Sequence, residues 1–266
     1  MKINKDNILE EDKETAVQII NTLRNGGRVI GSPAQGLKET LKKLEEQKES
    51  VSLSKFEWEL KDRELEDNIS KLKAGIDGEI MLSEFLAQLL KYNDDLDGII
   101  VFASLSQEQE NNDKDYIPDS DFVLVHNDKF LIIDAKNIST NPDVPIHFVE
   151  KDIVTDTERP KYILEGVNSS VNVWKSFFEK YNISYSSIMN TVCIVNKTGA
   201  TITDPIDSNM SLIHISELNN YLLNWHKMSS KNEYVRLYDL TQLSKCQIKK
   251  EKSGLDLSNM KKIFRV

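Results

Sequence analysis

The residues best suited to chemistry lie in one stretch, DFVLVHNDKFLIIDAK, from Asp121 to Lys136. Two apolar, β-branched runs flank Asn127-Asp128, which reads as a two-residue hairpin turn. With that turn His126 pairs with Lys129, and the same register carried to the open end sets Asp121 across from Asp134. Carboxylates opposed in this way have β-carbons ~5 Å apart and destabilise a sheet by repulsion. A divalent cation between them reverses the sign of that interaction. Two carboxylates suit Mg²⁺ or Mn²⁺ with water completing the shell, whereas zinc favours cysteine and histidine. Lys136 follows Asp134 by two residues and so projects from the same face, beside the same site.

The apolar positions between the acids say how the hairpin is held. Val123 opposite Ile132 and Val125 opposite Phe130 share the acids' face, while Phe122 opposite Ile133 and Leu124 opposite Leu131 take the other. Both faces are apolar, which predicts a central hairpin covered on both sides, with the charged groups at its open end. Upstream, AGIDGEIMLSEFLAQLLK (residues 74–91) reads as a helix with Leu82, Leu86, Leu89 and Leu90 on one face. Glu79 precedes Leu82 by three residues and Leu86 by seven, so it shares the buried face. An acid there either caps the helix start, where the dipole favours it, or helps to hold a cation.

The remaining pattern supplies a sheet and its cover. GIIVFASL (98–105), IMNTVCIVN (188–196) and SLIHI (211–215) read as strands, and the polar insertion SQEQENNDKDYIPDS reads as a loop. Val167, Val171, Trp174, Phe178 and Tyr181 recur at helical spacing, and Ser216 opens a helix carrying Leu218, Leu222 and Trp225. This order predicts an α/β fold, a mixed sheet with helices on both faces. At the other end, residues 8–24 read as a short amphipathic helix stopped by Asn25-Gly26-Gly27. The following GGRVIGSPAQG places Gly31 and Gly36 at the spacing of a phosphate-binding loop, but Leu37 stands where the lysine belongs, so it reads as a flexible connector. From Leu37 an apolar residue recurs every seven positions at Leu44, Val51, Trp58, Leu65 and Leu72, with Leu41, Ile69 and Ile76 at partner positions. Such a stripe predicts a long helix or a hairpin that pairs with itself or with another copy, making a homo-oligomer.

Asp121, followed thirteen residues later by Asp134-Ala-Lys136, resembles the PD-(D/E)XK nuclease superfamily. GIDGE (Gly75 to Glu79) and the run IIDAKN are similar, more specifically, to the nuclease-related domain, NERD. The likeness continues at Asn168, in TVCIVN and in SLIHISELNNYL, over about residues 74–227; at Asn168-Ser-Ser-Val171 the family's usual proline and glutamine are missing. The resemblance implies a restriction-endonuclease-like fold and Mg²⁺-dependent (or Mn²⁺-dependent) hydrolysis of phosphodiester bonds in DNA rather than RNA. Asp121 and Asp134 would hold the cation, with Glu79 as a further ligand, and Lys136 would orient the attacking water and stabilise the phosphorane charge. It further implies an effector in defence against phage or on a mobile element. On this reading the chain divides into a helical coiled-coil arm (1–73), the nuclease domain (74–227) and a basic C-terminal segment (228–266). The alternative is a catalytically silent module of the same fold, binding nucleic acid or a protein partner through the coil and the basic tail.

Composition bounds these readings. A chain of 266 residues, 39% hydrophobic and 29% charged, has the profile of a soluble globular protein, and no apolar run approaches the ~18 residues of a membrane span. MKINKDNILEEDKE has no apolar leader, and two cysteines, Cys193 and Cys246, do not make a disulfide scaffold, so a cytoplasmic location is expected. The net charge of −9 hides a division: residues 227–266 carry +6 and the rest −15. The basic end is either a phosphate-contacting appendage or a solvated surface. His126, His147, His214 and His226 show no metal-ligand spacing, and there is no Gly-x-Ser-x-Gly for serine catalysis.

Overall fold

The computed structural model describes residues 2–6, 8–50, 55–106, 119–138, 147–149, 152–154, 164–196 and 210–247. In chain order the first elements are β1 (Ile3–Asn4), α1 (Lys13–Arg24), β2 (Val29–Ile30), α2 (Gln35–Ser50) and α3 (Lys55–Tyr92). Then come β3 (Ile100–Ser106), β4 (Asp119–His126), β5 (Lys129–Lys136), β6 (His147–Val149), β7 (Asp152–Val154) and α4 (Leu164–Lys180). The chain continues through β8 (Ser187–Ile194), β9 (Met210–His214), α5 (Leu218–Lys227), β10 (Val235–Arg236) and α6 (Leu237–Lys245).

Six strands form one mixed sheet in the order β2-β3-β4-β5-β8-β9. The β4–β5 hairpin is central, as its two apolar faces require. Its register runs from His126↔Lys129 to Phe122↔Ile133, the pairing expected from an Asn127-Asp128 turn. Asn127 takes a left-handed conformation with φ 56°, which asparagine tolerates, and this replaces the glycine that such turns usually carry. The Asp128 carboxylate accepts hydrogen bonds from the hydroxyls of Ser186 and Ser230 and from the Asn232 amide, anchoring the turn.

Each face of the sheet carries its own core. Phe102, Val123, Val125, Phe130 and Ile132 meet Ala16 and Ile19 of α1, Trp174 and Phe178 of α4, and Leu240 and Leu243 of α6. On the reverse, Val101, Phe122, Leu124, Leu131 and Ile133 meet Leu82 and Leu86 of α3 and Leu218, Leu222 and Trp225 of α5. The helical spacings in the sequence are those of residues that bury against these faces.

The heptad stripe folds back on itself. α2 and the first half of α3 form a hairpin in which Leu44 and Leu72 are buried, with Leu37, Leu41, Leu65 and Ile69 packed around them. Lys48–Glu66 and Lys73–Glu45 ion pairs at 2.7 and 3.2 Å run along its sides. This part of the seam is therefore covered within one chain. Val51 and the Trp58 side chain lie outside the described residues.

The division of the chain differs from the predicted one. A boundary at residue 73 falls inside α3, which runs unbroken through Gly75 and Gly78. The described residues up to 34 are not a detached arm: β2 pairs with β3, α1 lies in the core, and β1 pairs with β10. Nor is 228–247 an appendage. Leu240 and Leu243 are fully buried, Gln242 and Lys245 hold the buried Asp12 at 2.9 and 2.7 Å, and Arg236 pairs with Asp239. Residues 248–266, with six of the ten cations of the basic segment, lie outside the described residues, as does most of the polar insertion. Among the described residues no helix is long and apolar enough to cross a membrane.

Candidate active site

The central ladders open where the acids stand. β4 and β5 pair as far as Phe122↔Ile133 and no further. β3 and β4 pair at Ala103↔Phe122 and again at Leu105↔Ser120, skipping Ser104 and Asp121 between them. The register is the same on both sides of the gap, so no residue is inserted; instead the backbone turns over, with Ser104 at φ 52°. The apolar faces record the turn. Ala103 and Phe122 belong to the face covered by α3, whereas Leu105 lies in the opposite core. The Ser120 hydroxyl accepts the indole N–H of Trp174, at 2.8 Å, on that opposite side.

Asp121 sits at this reversal, which corrects the expectation that it simply shares the face of Val123 and Val125. Its Oδ2 accepts the Ala135 amide at 2.7 Å. The Lys136 carbonyl is taken by the Val195 amide of the strand segment on the other side, so the Ala135 amide faces β4, and the Asp121 carboxylate stands in for a ladder carbonyl.

Glu79 reaches the same place from α3. It is 5% exposed and lies well inside a helix that begins at Lys55, so it caps no helix start. The helix approaches the end of β5 closely: a β-carbon on Gly78 would stand 2.8 Å from that of Asn137, and Asn137 Nδ2 donates to the Ala74 carbonyl at 2.8 Å. Glu79 Oε2 in turn accepts the amide of Ala34, at 2.7 Å, from the segment between β2 and α2. That segment, expected to be a flexible connector, is built into the site, with Ala34 and Gln35 both buried.

Asp134 and Lys136 complete the cluster, the ammonium lying 2.8 Å from the carboxylate. Burial, then the negative charges of Glu79 and Asp134, push the Asp121 carboxyl well above the usual carboxylate range, against the opposing pull of Lys136. Burial works against the Lys136 ammonium too, but Asp134, Asp121 and Glu79 outweigh it and hold its pKa above the ordinary lysine value. All four residues expected from the sequence therefore form one electrostatic unit. Three carboxylates face one ammonium, and the Asp134 and Lys136 side chains retain 20% and 33% exposure, so solvent reaches them.

An all-oxygen set with excess negative charge has the chemistry of a hard divalent cation site, in which Asp121, Asp134 and Glu79 could serve as ligands. Among the described residues, no three His, Cys, Asp or Glu side chains already stand in a ligating arrangement. Lys136 and the amides of Ala34 and Ala135 engage the carboxylates instead.

Ala34 and Ser104 were not singled out from the sequence, and Asn137 entered only as the last residue of the IIDAKN run. Their contributions come from backbone conformation and close packing, which residue type alone does not mark. Downstream of Lys136, Asn196 Nδ2 donates to the Ile138 carbonyl at 2.9 Å, and its Oδ1 lies 3.3 Å from His214 Nε2. His126 and His226 stack, centroids 3.9 Å apart, at the turn end of the hairpin, opposite to the carboxylates. Cys193 is fully buried, and burial pushes its thiol pKa up, as befits a core residue.

Comparison of the chain with protein-family models, with curated proteins and with solved structures found no match.

Proposed function

We propose that the protein is a metal-dependent nuclease of the PD-(D/E)XK type that hydrolyses phosphodiester bonds of DNA. The observation that carries this reading is the convergence of Glu79, Asp121, Asp134 and Lys136 where the central ladder opens. A strand ladder interrupted to gather like charges opposes stability, and such clusters are a feature of functional sites. Asp121 and Asp134, with Glu79 beside them, are the groups to hold Mg²⁺ or Mn²⁺. A cation bound there polarises a phosphoryl oxygen and lowers the pKa of a coordinated water. Lys136 supplies a fixed positive charge that orients a water and stabilises negative charge developing on the phosphorus oxygens. A role in defence against phage or on a mobile element rests on the family likeness alone and belongs to the same proposal.

A second reading, a silent module of the same fold, draws on the Lys136–Asp134 pair, which neutralises part of the site without a metal. Incubation of plasmid DNA with the full chain and Mg²⁺, with an EDTA control, separates the two. The nuclease reading expects cleavage that stops in EDTA and falls by roughly two orders of magnitude or more in Lys136→Ala, as when one positioned catalytic group is removed. No cleavage with either metal would overturn it in favour of the binding module, and equal rates for wild type and Lys136→Ala would overturn the role given to Lys136.

A further inference from the structure

Glu79 owes its place to a residue that makes no contact with it among the hydrogen bonds described above. Its amide donor, Ala34, is 1% exposed and holds a left-handed backbone, φ 57°, which a β-carbon disfavours by about 1–2 kcal/mol. A residue in that state persists when its surroundings over-determine it. Here the surroundings are the Ser104 hydroxyl, which donates to the Ser32 carbonyl at 2.8 Å and accepts the Gln35 amide at 3.3 Å. One side chain thus ties down the backbone on both sides of Pro33-Ala34. Gly31, φ 98°, fixes the start of the loop: a β-carbon there would lie 2.6 Å from the Ala103 carbonyl and against the Gln247 side chain.

Ser104 is also the strand residue facing Asp121 across the gap in the β3–β4 ladder. Its backbone reversal and its hydroxyl therefore act on two members of the site from one position. We infer that Ser104 is a positioning residue: it aims the Ala34 amide at Glu79 and fixes that carboxylate relative to Asp121. The inference gives the root of the helical hairpin, where α2 begins, a part in shaping the site. Its meaning for catalysis rests on the nuclease reading, but the placement of Glu79 can be measured separately.

The test is hydrogen exchange at the Ala34 amide in the metal-free full chain, together with titration by Mn²⁺. Ser104→Gly keeps the left-handed conformation available and removes the hydroxyl together with its β-carbon. It should speed exchange at Ala34 about tenfold or more, as should Glu79→Ala, with Leu131 in the sheet centre unchanged in both. Mn²⁺ affinity should fall about 10-fold in Ser104→Gly, the low end for losing a residue that orients a ligand. The double variant should bind no more weakly than Glu79→Ala alone, because both changes break the same link. Ser104→Asn, which tolerates the left-handed region and keeps a donor and an acceptor, should recover part of the loss. Unchanged Ala34 exchange in Ser104→Gly, or a further loss of affinity in the double variant, overturns the inference. If Ser104→Gly does not fold, Ser104→Ala serves in its place. Wild type that binds no Mn²⁺ would overturn the cation reading, and Ala34 exchange alone would then decide whether Ser104 positions Glu79.

Discussion

Gly78 of α3 and Asn137, just past β5, are packed so closely that a β-carbon on the glycine would stand 2.8 Å from the asparagine's own β-carbon. The Asn137 side chain also donates to Ala74 one turn earlier in the helix. The helix is thereby seated on the strand that carries Asp134 and Lys136, and Glu79, the next residue after Gly78, is delivered to them.

Replacing Gly78 therefore tests the seat. In an open helix Gly→Ala gains about 1 kcal/mol of propensity. At Gly78 the new methyl meets a β-carbon that cannot swing away, so Gly78→Ala should instead lose about 1–3 kcal/mol in urea unfolding, the usual cost of overpacking. Gly75→Ala is the control. Its methyl would meet only the end of Leu37, at 3.1 Å, and the variant should be neutral or slightly more stable.

The carboxylate cluster should make stability depend on cation and on pH. Adding Mg²⁺ or Mn²⁺ at millimolar concentration should raise the Tm of wild type, and Asp134→Asn should abolish the shift. Without metal the sign follows from Asp121, whose folded pKa is raised by burial and by Glu79 and Asp134. The folded state then holds a proton that the unfolded state has released, so stability should fall as pH rises above the ordinary carboxylate range. Glu79→Gln removes one of the charges and should flatten that fall. A Tm profile across pH in EDTA, steeper in the variant than in wild type, would contradict this account.

At the turn end the pH dependence has the opposite sense. Burial first, then the charges of His226 and Lys129, lower the His126 pKa from 6.5 to about 4. The unfolded chain binds the proton more readily, so this contribution is complete above pH 6.5 and is lost as pH falls toward 4. His126→Phe keeps a ring beside Trp225 and His226 and should show a smaller drop in Tm over that interval. Parallel curves for the two proteins would remove His126 from the explanation.

Lys129 is fully buried, and its ammonium donates to the carbonyls of Trp225, His226 and Met228 at 3.1, 2.7 and 2.8 Å. It thus caps the C-terminal end of α5, where the dipole favours a cation, and shares the Trp225 carbonyl with the Met228 amide. Lys129→Met, similar in length but without donors, should cost about 2–4 kcal/mol in urea unfolding, because it strands buried acceptors. A change below about 0.5 kcal/mol would mean that water replaces the ammonium at no loss.

Much of the site was legible because strand and helix periods are local properties. The run from Asp121 to Lys136 encodes its own turn, its two apolar faces and its register as far as Phe122 and Ile133, and Glu79 declares its buried face by its distance from Leu82 and Leu86. Those relations need only the pleat and the helical repeat. Tertiary structure alone decided the rest. That Asp121 leaves its strand face depends on a backbone reversal at Ser104, and a serine carries no mark of positive φ. That Ala34 holds Glu79 depends on two segments, 45 residues apart in the chain, meeting at one edge of the sheet. The heptad stripe specified an apolar seam but not its partner, since the same leucines bury equally well against a second copy or against the returning helix. The first and last described segments joined the core for a related reason. Asp12 and Gln242 read as ordinary surface residues until packing removes them from water, and Lys245, itself still exposed, closes on the buried Asp12.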